Sequence, residues 1–516
     1  MQNKLLLIFL VFFVCACKTK EKEEKTEKQL VEAFTEQYRP QFHFTPEEKW
    51  MNDPNGLVYH EGTYHLFFQY YPDDIVWGPM HWGHAISTDM VHWEHKPIAL
   101  YPDGHGLIFS GSAVVDKENT SGFGKDGKPP LVAIFTYHSM EGEKAGRNDF
   151  QTQGIAYSLD NGATWTKYEG NPVIGNEGIR DFRDPKVFWH EGSQSWVLVL
   201  VAGDHARFYT SKNLREWEYR SSFGKNQGAH GGVWECPDLF PLFVEGEEEP
   251  KWVLLISINP GAPNGGSGTQ YFVGEFDGNR FISDQKEPKW LDYGTDNYAG
   301  VTYNNVPNDD RIFIGWMSNW DYARDTPTKK WRSAMTLPRR LTLGRHKGEY
   351  LLANYPLPQI ATLAATELLG STKISTEGAQ TFSIANLNQS QIRLRTASKD
   401  FELVFKNDMG ETLELTMDSN SNAFLLDRMN SGQVNFQPEF GNKKHYMPIE
   451  FLTDGHYEID IYLDWSSIEV FLDRGLLAMT DQIFPSQPYT ALEVHNNDGE
   501  EAMELVFVKK MPSIWP

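Results

Sequence analysis

Three cysteines in a chain of 516 residues leave no room for a disulfide framework. Cys15 and Cys17 fall near the start, so the long remainder holds only Cys236. A thiol nucleophile needs a base or cation to activate it, and the sequence beside Cys236 supplies none. Positive charge is also scarce: 47 Lys and Arg stand against 70 Asp and Glu, for a formal net charge of −23. Phosphate binding requires clustered Lys and Arg, so nucleic acid and anionic membrane surfaces are excluded as partners. The substrate is expected to be neutral or cationic. Long helical periodicity is missing as well, and the one marked apolar run, Leu5 to Val14, is too short to span a bilayer.

What the chain has instead is aromatic residues, acids beside prolines, and short apolar segments. Segments such as Thr63 to Tyr70, Trp196 to Val201, Trp252 to Ile256 and Arg311 to Trp316 have the length and composition of strands, broken by Gly, Asp, Asn and Pro. An all-β chain is predicted. A degenerate repeat runs through it: Ser87-Thr88-Asp89 leading to Trp93, Ser158-Leu159-Asp160 to Trp165, and Ser211-Lys212-Asn213 to Trp217. A hairpin turn recurring at intervals of tens of residues fits the blades of a propeller. From about Leu363 the texture shifts to alternating strands, as in Phe401 to Phe405 and Tyr457 to Tyr462, which predicts a β-sandwich.

Three acids share one local dress. Asp53 lies in Trp50-Met51-Asn52-Asp53-Pro54-Asn55-Gly56, Asp184 in Arg183-Asp184-Pro185, and Glu235 in Glu235-Cys236-Pro237. Asn-Asp-Pro-Asn-Gly is also an ordinary turn sequence. Three carboxylates pinned near prolines nevertheless predict one site assembled from distant strands, because the innermost strands of a propeller converge on its channel. Rival sites are weaker. His81, His84, His92 and His95 form two H-x-x-H pairs, but residues three apart on a strand point to opposite faces, so no metal is predicted. Asn264-Gly265-Gly266-Ser267-Gly268 lacks the Lys and Ser or Thr of a phosphate loop.

The three motifs, with Phe109-Ser110-Gly111-Ser112, Gly315 to Trp320 and Met335 to Arg339, resemble glycoside hydrolase family 32, the β-fructosidases. The likeness extends over most of the chain from about Tyr38. It implies a five-bladed propeller followed by a β-sandwich, with Asp53 as nucleophile, Glu235 as acid/base and Asp184 as transition-state stabiliser. It also implies sugar contacts at Asn52, Gln69, Trp77, Phe109, Ser110, and one of Trp316 and Trp320. Arg183 is expected to hold a neighbouring carboxylate ionised. The implied reaction is retaining hydrolysis of β-fructofuranosyl linkages in levan, inulin or sucrose, without cofactor or metal. Because a site at the mouth of a propeller channel is closed on one side by the converging strands, action at chain ends with release of fructose is expected. Endo action, fructosyl transfer and a catalytically silent fructan-binding lipoprotein are the alternatives.

The N-terminal Lys4 and apolar run suit a secretory signal. Val14-Cys15-Ala16-Cys17 resembles a bacterial lipoprotein processing box, with Cys17 as the lipidated residue and a lipid anchor as the only membrane contact. Cys15 departs from the small residue usual there, so plain secretion is the alternative. The expected organisation is a signal over 1–17, a charged tether over 18–37, the propeller over 38–345, a linker over 346–362 and the sandwich over 363–516.

Overall fold

A computed structural model describes residues 34–364, 366–375, 378–452, 455–498 and 502–515. The expected signal, Cys17 and the Lys18 to Lys28 run lie outside the described residues. Five sheets stand around a channel. Their innermost strands are Lys49–His60, Leu107–Val115, Phe182–His190, Val233–Leu242 and Tyr298–Thr302, each touching the next and the last touching the first. The circle is fastened by the short strand Trp331–Arg332, which leaves the fifth blade to pair in parallel with Lys49 and Trp50 of the first.

Each blade is covered on both faces by its neighbours, so its middle strands read as unbroken apolar runs. Leu131–His138 and Ser195–Ala202 are buried at every position. Alternate residues then serve different interfaces: Val197, Val199 and Val201 pack toward the fourth blade, whereas Trp196, Leu198 and Leu200 pack toward the second. The Ser-x-Asp/Asn repeat lies between the third and outermost strands of the first three blades. There the Ser87 hydroxyl accepts from the Asp89 and Met90 amides while Asp89 accepts from the Val91 and His92 amides, which closes the turn locally.

The segment expected as a linker, 346–362, folds differently. Glu349–Pro356 is the outermost strand of the fifth blade, paired along its length with Arg339–His346. Leu351 and Leu352 on it are buried, so apolar pairing overrides the turn-like Asn354 and Pro356. Only the short helix Pro358–Leu363 connects to the sandwich. The expected tether likewise ends early, because Phe34 stacks on Trp515 with ring centroids 4.0 Å apart.

The sandwich consists of a seven-stranded and a six-stranded sheet around one apolar core. Thr412–Asp418 alternates buried and half-buried positions, but the strands expected to alternate do so only at their starts, since Val404 and Asp460 are buried. Ser467–Leu472 and Leu477–Gln482 are buried throughout because their outer face lies against the propeller. That interface carries buried ion pairs. Arg339 is fully buried and meets Asp292 at 2.9 Å and Glu469 at 2.7 Å, and Arg428 meets Asp296 at 2.8 Å. Among the described residues no helix is long and apolar enough to cross a membrane.

Candidate active site

Every innermost strand breaks register at the same level of the channel. Two residues face one across the bulge in each blade: Asn52 and Asp53, Phe109 and Ser110, Asp184 and Pro185, Cys236 and Pro237, and Ala299 and Gly300. A bulge leaves a residue unpaired and turns the strand, so proline and glycine are tolerated there and the neighbouring side chains are re-aimed. Asp184, Cys236 and Ala299 take left-handed φ values of 63°, 44° and 53°, a strain that the surrounding sheet must hold. Gly56 closes the first motif for a related reason. Its φ is +53°, and a Cβ there would lie 2.7 Å from Phe67 and 2.9 Å from Trp82.

Asp53 and Asp184 project from the first and third of these bulges, and Glu235 from the paired position just before the fourth, into one site. Asp53 accepts from Ser110 Oγ at 2.6 Å and from Asn52 Nδ2 at 3.0 Å, and Cys236 Sγ lies 3.4 Å from the same carboxylate. Asn52 is itself oriented by Trp50 Nε1 at 2.7 Å. Asp184 accepts the Cys236 amide at 3.0 Å, and its own amide donates to Thr136 Oγ1. Arg183 spans the site: one nitrogen donates to Glu235 Oε1 at 2.9 Å, another to Asp181 at 2.7 Å, and its Nε lies 3.8 Å from Asp184. The Tyr298 hydroxyl donates to the other Glu235 oxygen.

Burial and mutual repulsion set the electrostatics. Asp53 is pushed above the usual carboxylate range chiefly by burial, with Glu235 adding and the Ser110 and Asn52 hydrogen bonds opposing. Asp184 is raised to about 7, again by burial first; the Arg183 guanidinium opposes this, and the Glu235 and Asp53 charges add to it. Burial works against the Arg183 charge, but Glu235, Asp184 and Asp181 outweigh it and hold the guanidinium protonated. Burial and the same acids push the Cys236 thiol well up, so it stays a neutral thiol rather than a nucleophile.

The remaining predicted residues divide by exposure. Gln69 is buried and donates to Asn55 Oδ1 at 2.7 Å, while Asn55 donates to the Asp53 carbonyl, so Gln69 braces the first motif from behind. Phe109 stacks on His138 at 4.2 Å, and Trp77 meets it edge-on at 6.1 Å; both are half-buried. Trp316 is fully buried with its Nε1 on the Met51 carbonyl, whereas Trp320, packed on Trp50 and Trp316, keeps an open face. The histidine pairs do not converge. His84 pairs with His65, His92 with Asp89, His95 with the Thr45 carbonyl and His81 with the Pro79 carbonyl.

Tyr298, Thr136 and Asp181 were not singled out from the sequence. The strand alignment shows how Tyr298 could have been found, since Asn297-Tyr298-Ala299-Gly300 occupies the place in its blade that Trp234-Glu235-Cys236-Pro237 occupies in the preceding one. Beneath the acids the channel is plugged. Lys186 Nζ bonds Asp238 at 3.0 Å and the Thr302 carbonyl at 2.6 Å, and Asn304 Nδ2 bonds the Ala113 and Val187 carbonyls. Three carboxylates therefore stand above this plug, beside the half-buried Phe109 ring, the Asn52 amide and the Ser110 hydroxyl, a setting suited to protonating and substituting at an acetal carbon.

Residues 43–356 match the glycosyl hydrolases family 32 N-terminal domain, and residues 361–510 match the family 32 C-terminal domain. The chain is 44% identical to the levanase of Bacillus subtilis, the alignment covering 93% of this chain and 72% of that one. It is 41% identical to the extracellular exo-inulinase of Aspergillus niger, over 93% of this chain and 96% of the other. The crystal structure of exo-inulinase from Aspergillus awamori superposes with a TM-score of 0.86 at 40% identity, covering 93% of this chain and all 100% of that one. The β-fructofuranosidase of Schwanniomyces occidentalis complexed with fructosyl-erythritol gives 0.83 at 32% identity, over 93% and 99% of the two chains.

Proposed function

The chain belongs to glycosyl hydrolases family 32 and is a glycoside hydrolase of β-fructofuranosyl linkages in fructans and sucrose; we propose that Asp53, Glu235 and Asp184 perform the reaction with retention at the chain end. The observation that carries the assignment is the different chemistry of the donors that hold the two reacting acids, neutral groups on Asp53 and a cation with a phenol on Glu235. Asp53 is held at one oxygen by the Asn52 amide and at the other by the Ser110 hydroxyl, which fixes the carboxylate that would attack the anomeric carbon. Glu235 is clamped at both oxygens by Arg183 and Tyr298, which fixes the carboxyl that must meet the glycosidic oxygen.

In the first step an Asp53 oxygen forms the bond to the anomeric carbon as the glycosidic bond breaks, and Glu235 delivers its proton to the departing oxygen. Asp184, whose negative form the neighbouring Arg183 guanidinium favours against burial, faces the developing positive charge through hydroxyls of the ring. In the second step Glu235 takes a proton from water as its oxygen replaces Asp53 on the same carbon. Fructose leaves, Asp53 returns as carboxylate and Glu235 regains its proton.

The plugged channel floor favours a terminal sugar over the interior of a polymer, in keeping with relatives named as exo-inulinases. Early products from levan and inulin should accordingly be fructose; oligosaccharides appearing first would refute end-wise action. The roles themselves are tested with Glu235→Ala and Asp53→Ala. A substrate with an activated leaving group should still form product-side alcohol with the first variant and not with the second. Equal loss in both folded variants would overturn the assignment. The enzyme acts outside the cytoplasm, held by a lipid on Cys17 and the charged Lys18 to Lys28 tether; equal release of wild type and Cys17→Ala into the soluble fraction would refute the anchor.

A further inference from the structure

Trp320 stands on an excursion of the fifth blade that runs from Ser318 to Trp331, and residues toward both ends of it join a buried cluster shared with the sandwich. At one end Tyr322 meets Phe440 edge-on at 5.0 Å, and its hydroxyl accepts from Arg428 at 2.9 Å. Arg428 is fully buried, lies 3.8 Å over the Phe440 ring and donates to the Phe440 carbonyl. At the other end Trp331 joins the same buried cluster as Phe440 and Phe484. Tyr322 and Ala323 donate backbone amides to the Asn319 carbonyl, so the turn that presents Trp320 is tied to the anchored ring. Asn319 in turn bonds the Thr295 carbonyl, and the Trp320 amide donates to Ser267.

Trp320 also packs toward the residues that hold the nucleophile. Its ring stacks on Trp50 with centroids 5.9 Å apart, and Trp50 holds the Asn52 side chain that donates to Asp53. A continuous chain of contacts therefore runs from the Ser431 to Lys444 segment of the sandwich, through Phe440 and Tyr322, to the aromatic wall beside the nucleophile. A ring that stays half-buried on an excursion needs such support, because long loops otherwise sample many conformations. The sandwich contributes it from 120 residues further along the chain.

We propose that the β-sandwich is a positioning element of the substrate site, acting through Phe440 and Tyr322 to set Trp320 against the bound fructan. The inference rests on the fructan-hydrolase reading above. Phe440 touches no substrate; it acts by limiting where the Trp320 ring can lie. Loss of that restraint should weaken binding of the polymer while leaving the acids and the chemical step in place, so KM rises and kcat holds.

The test is a double-mutant cycle on levan and inulin with Phe440→Ala, Trp320→Ala and the pair. Phe440→Ala alone is expected to raise KM on the order of fivefold with kcat within about twofold, and to add almost nothing once Trp320 is already Ala. Tyr322→Phe, which keeps the ring and removes its hydrogen bonds, is expected to give a smaller rise in KM that also vanishes in the Trp320→Ala background, and it replaces Phe440→Ala should that variant not fold. An equal rise in KM with and without Trp320 would overturn the proposal, as would a lowered melting temperature with KM unmoved. Wild type inactive on fructans would instead refute the functional reading on which the proposal rests.

Discussion

Raising the pH should loosen the join between propeller and sandwich through one buried histidine. His43, on the segment that leads into the first blade, places Nδ1 2.8 Å from Asp464 and Nε2 3.0 Å from Glu469, and all three side chains are fully buried. Burial disfavours its charge, but the two carboxylates outweigh burial and raise its pKa from 6.5 to about 9. Below pH 6.5 the folded and unfolded chains both hold the proton, and the ion pairs contribute in full. Between 6.5 and about 9 the unfolded chain has shed a proton that the folded chain keeps, so stability falls as pH rises, and above about 9 the contribution is gone. At about 1.36 kcal/mol per pH unit over that interval, the loss amounts to about 3 kcal/mol. For a domain the size of the sandwich this is a fall of roughly 5–10 °C in melting temperature. Thermal unfolding of wild type and His43→Gln across the same range reads it out, since glutamine keeps a hydrogen-bonding amide and cannot titrate. The variant should melt lower at neutral pH yet lose much less toward alkaline pH. Parallel alkaline slopes in the two proteins would refute the reasoning.

Two further outcomes follow from the site. Asp184→Asn keeps shape and hydrogen-bonding capacity but removes the charge facing the transition state, so kcat should fall about a hundredfold or more with the melting temperature little changed; a comparable loss of stability would assign Asp184 to the fold instead. Tyr298→Phe removes the donor on one Glu235 oxygen and leaves Arg183 on the other, so kcat should drop about tenfold with KM held. Unchanged kcat in steady-state assays would show that Arg183 orients Glu235 unaided.

The acids were legible in the sequence because a bulge that must carry a carboxylate and turn a strand leaves a local mark, Asp53-Pro54, Asp184-Pro185 and Cys236-Pro237. The fifth bulge uses Ala299-Gly300, which reads as an ordinary break, so Tyr298 passed unnoticed although it stands one blade beyond Glu235. The repeated turns were visible since Ser87, Ser158 and Ser211 close them with side chains close in sequence. The outermost strand Glu349–Pro356 was not, because its partner and its burial come from the fifth blade and not from its own pattern. The same holds for the sandwich. Asp460 and Glu469 look like the wet face of alternating strands, yet both are buried: Arg393 of the neighbouring sandwich strand and Tyr355 of the propeller meet the one, and Arg339 and His43 of the propeller side meet the other.

The claim that Asp53 forms a covalent bond to the sugar is tested most directly by trapping that bond. Glu235→Ala, given a fructosyl donor with an activated leaving group, should complete the first step and hydrolyse the ester slowly, since no base activates water. Mass spectrometry of the quenched, digested protein is predicted to show one fructosyl residue on the peptide carrying Asp53. An adduct on another residue, or leaving-group release with no adduct on any peptide at the earliest times, would contradict it.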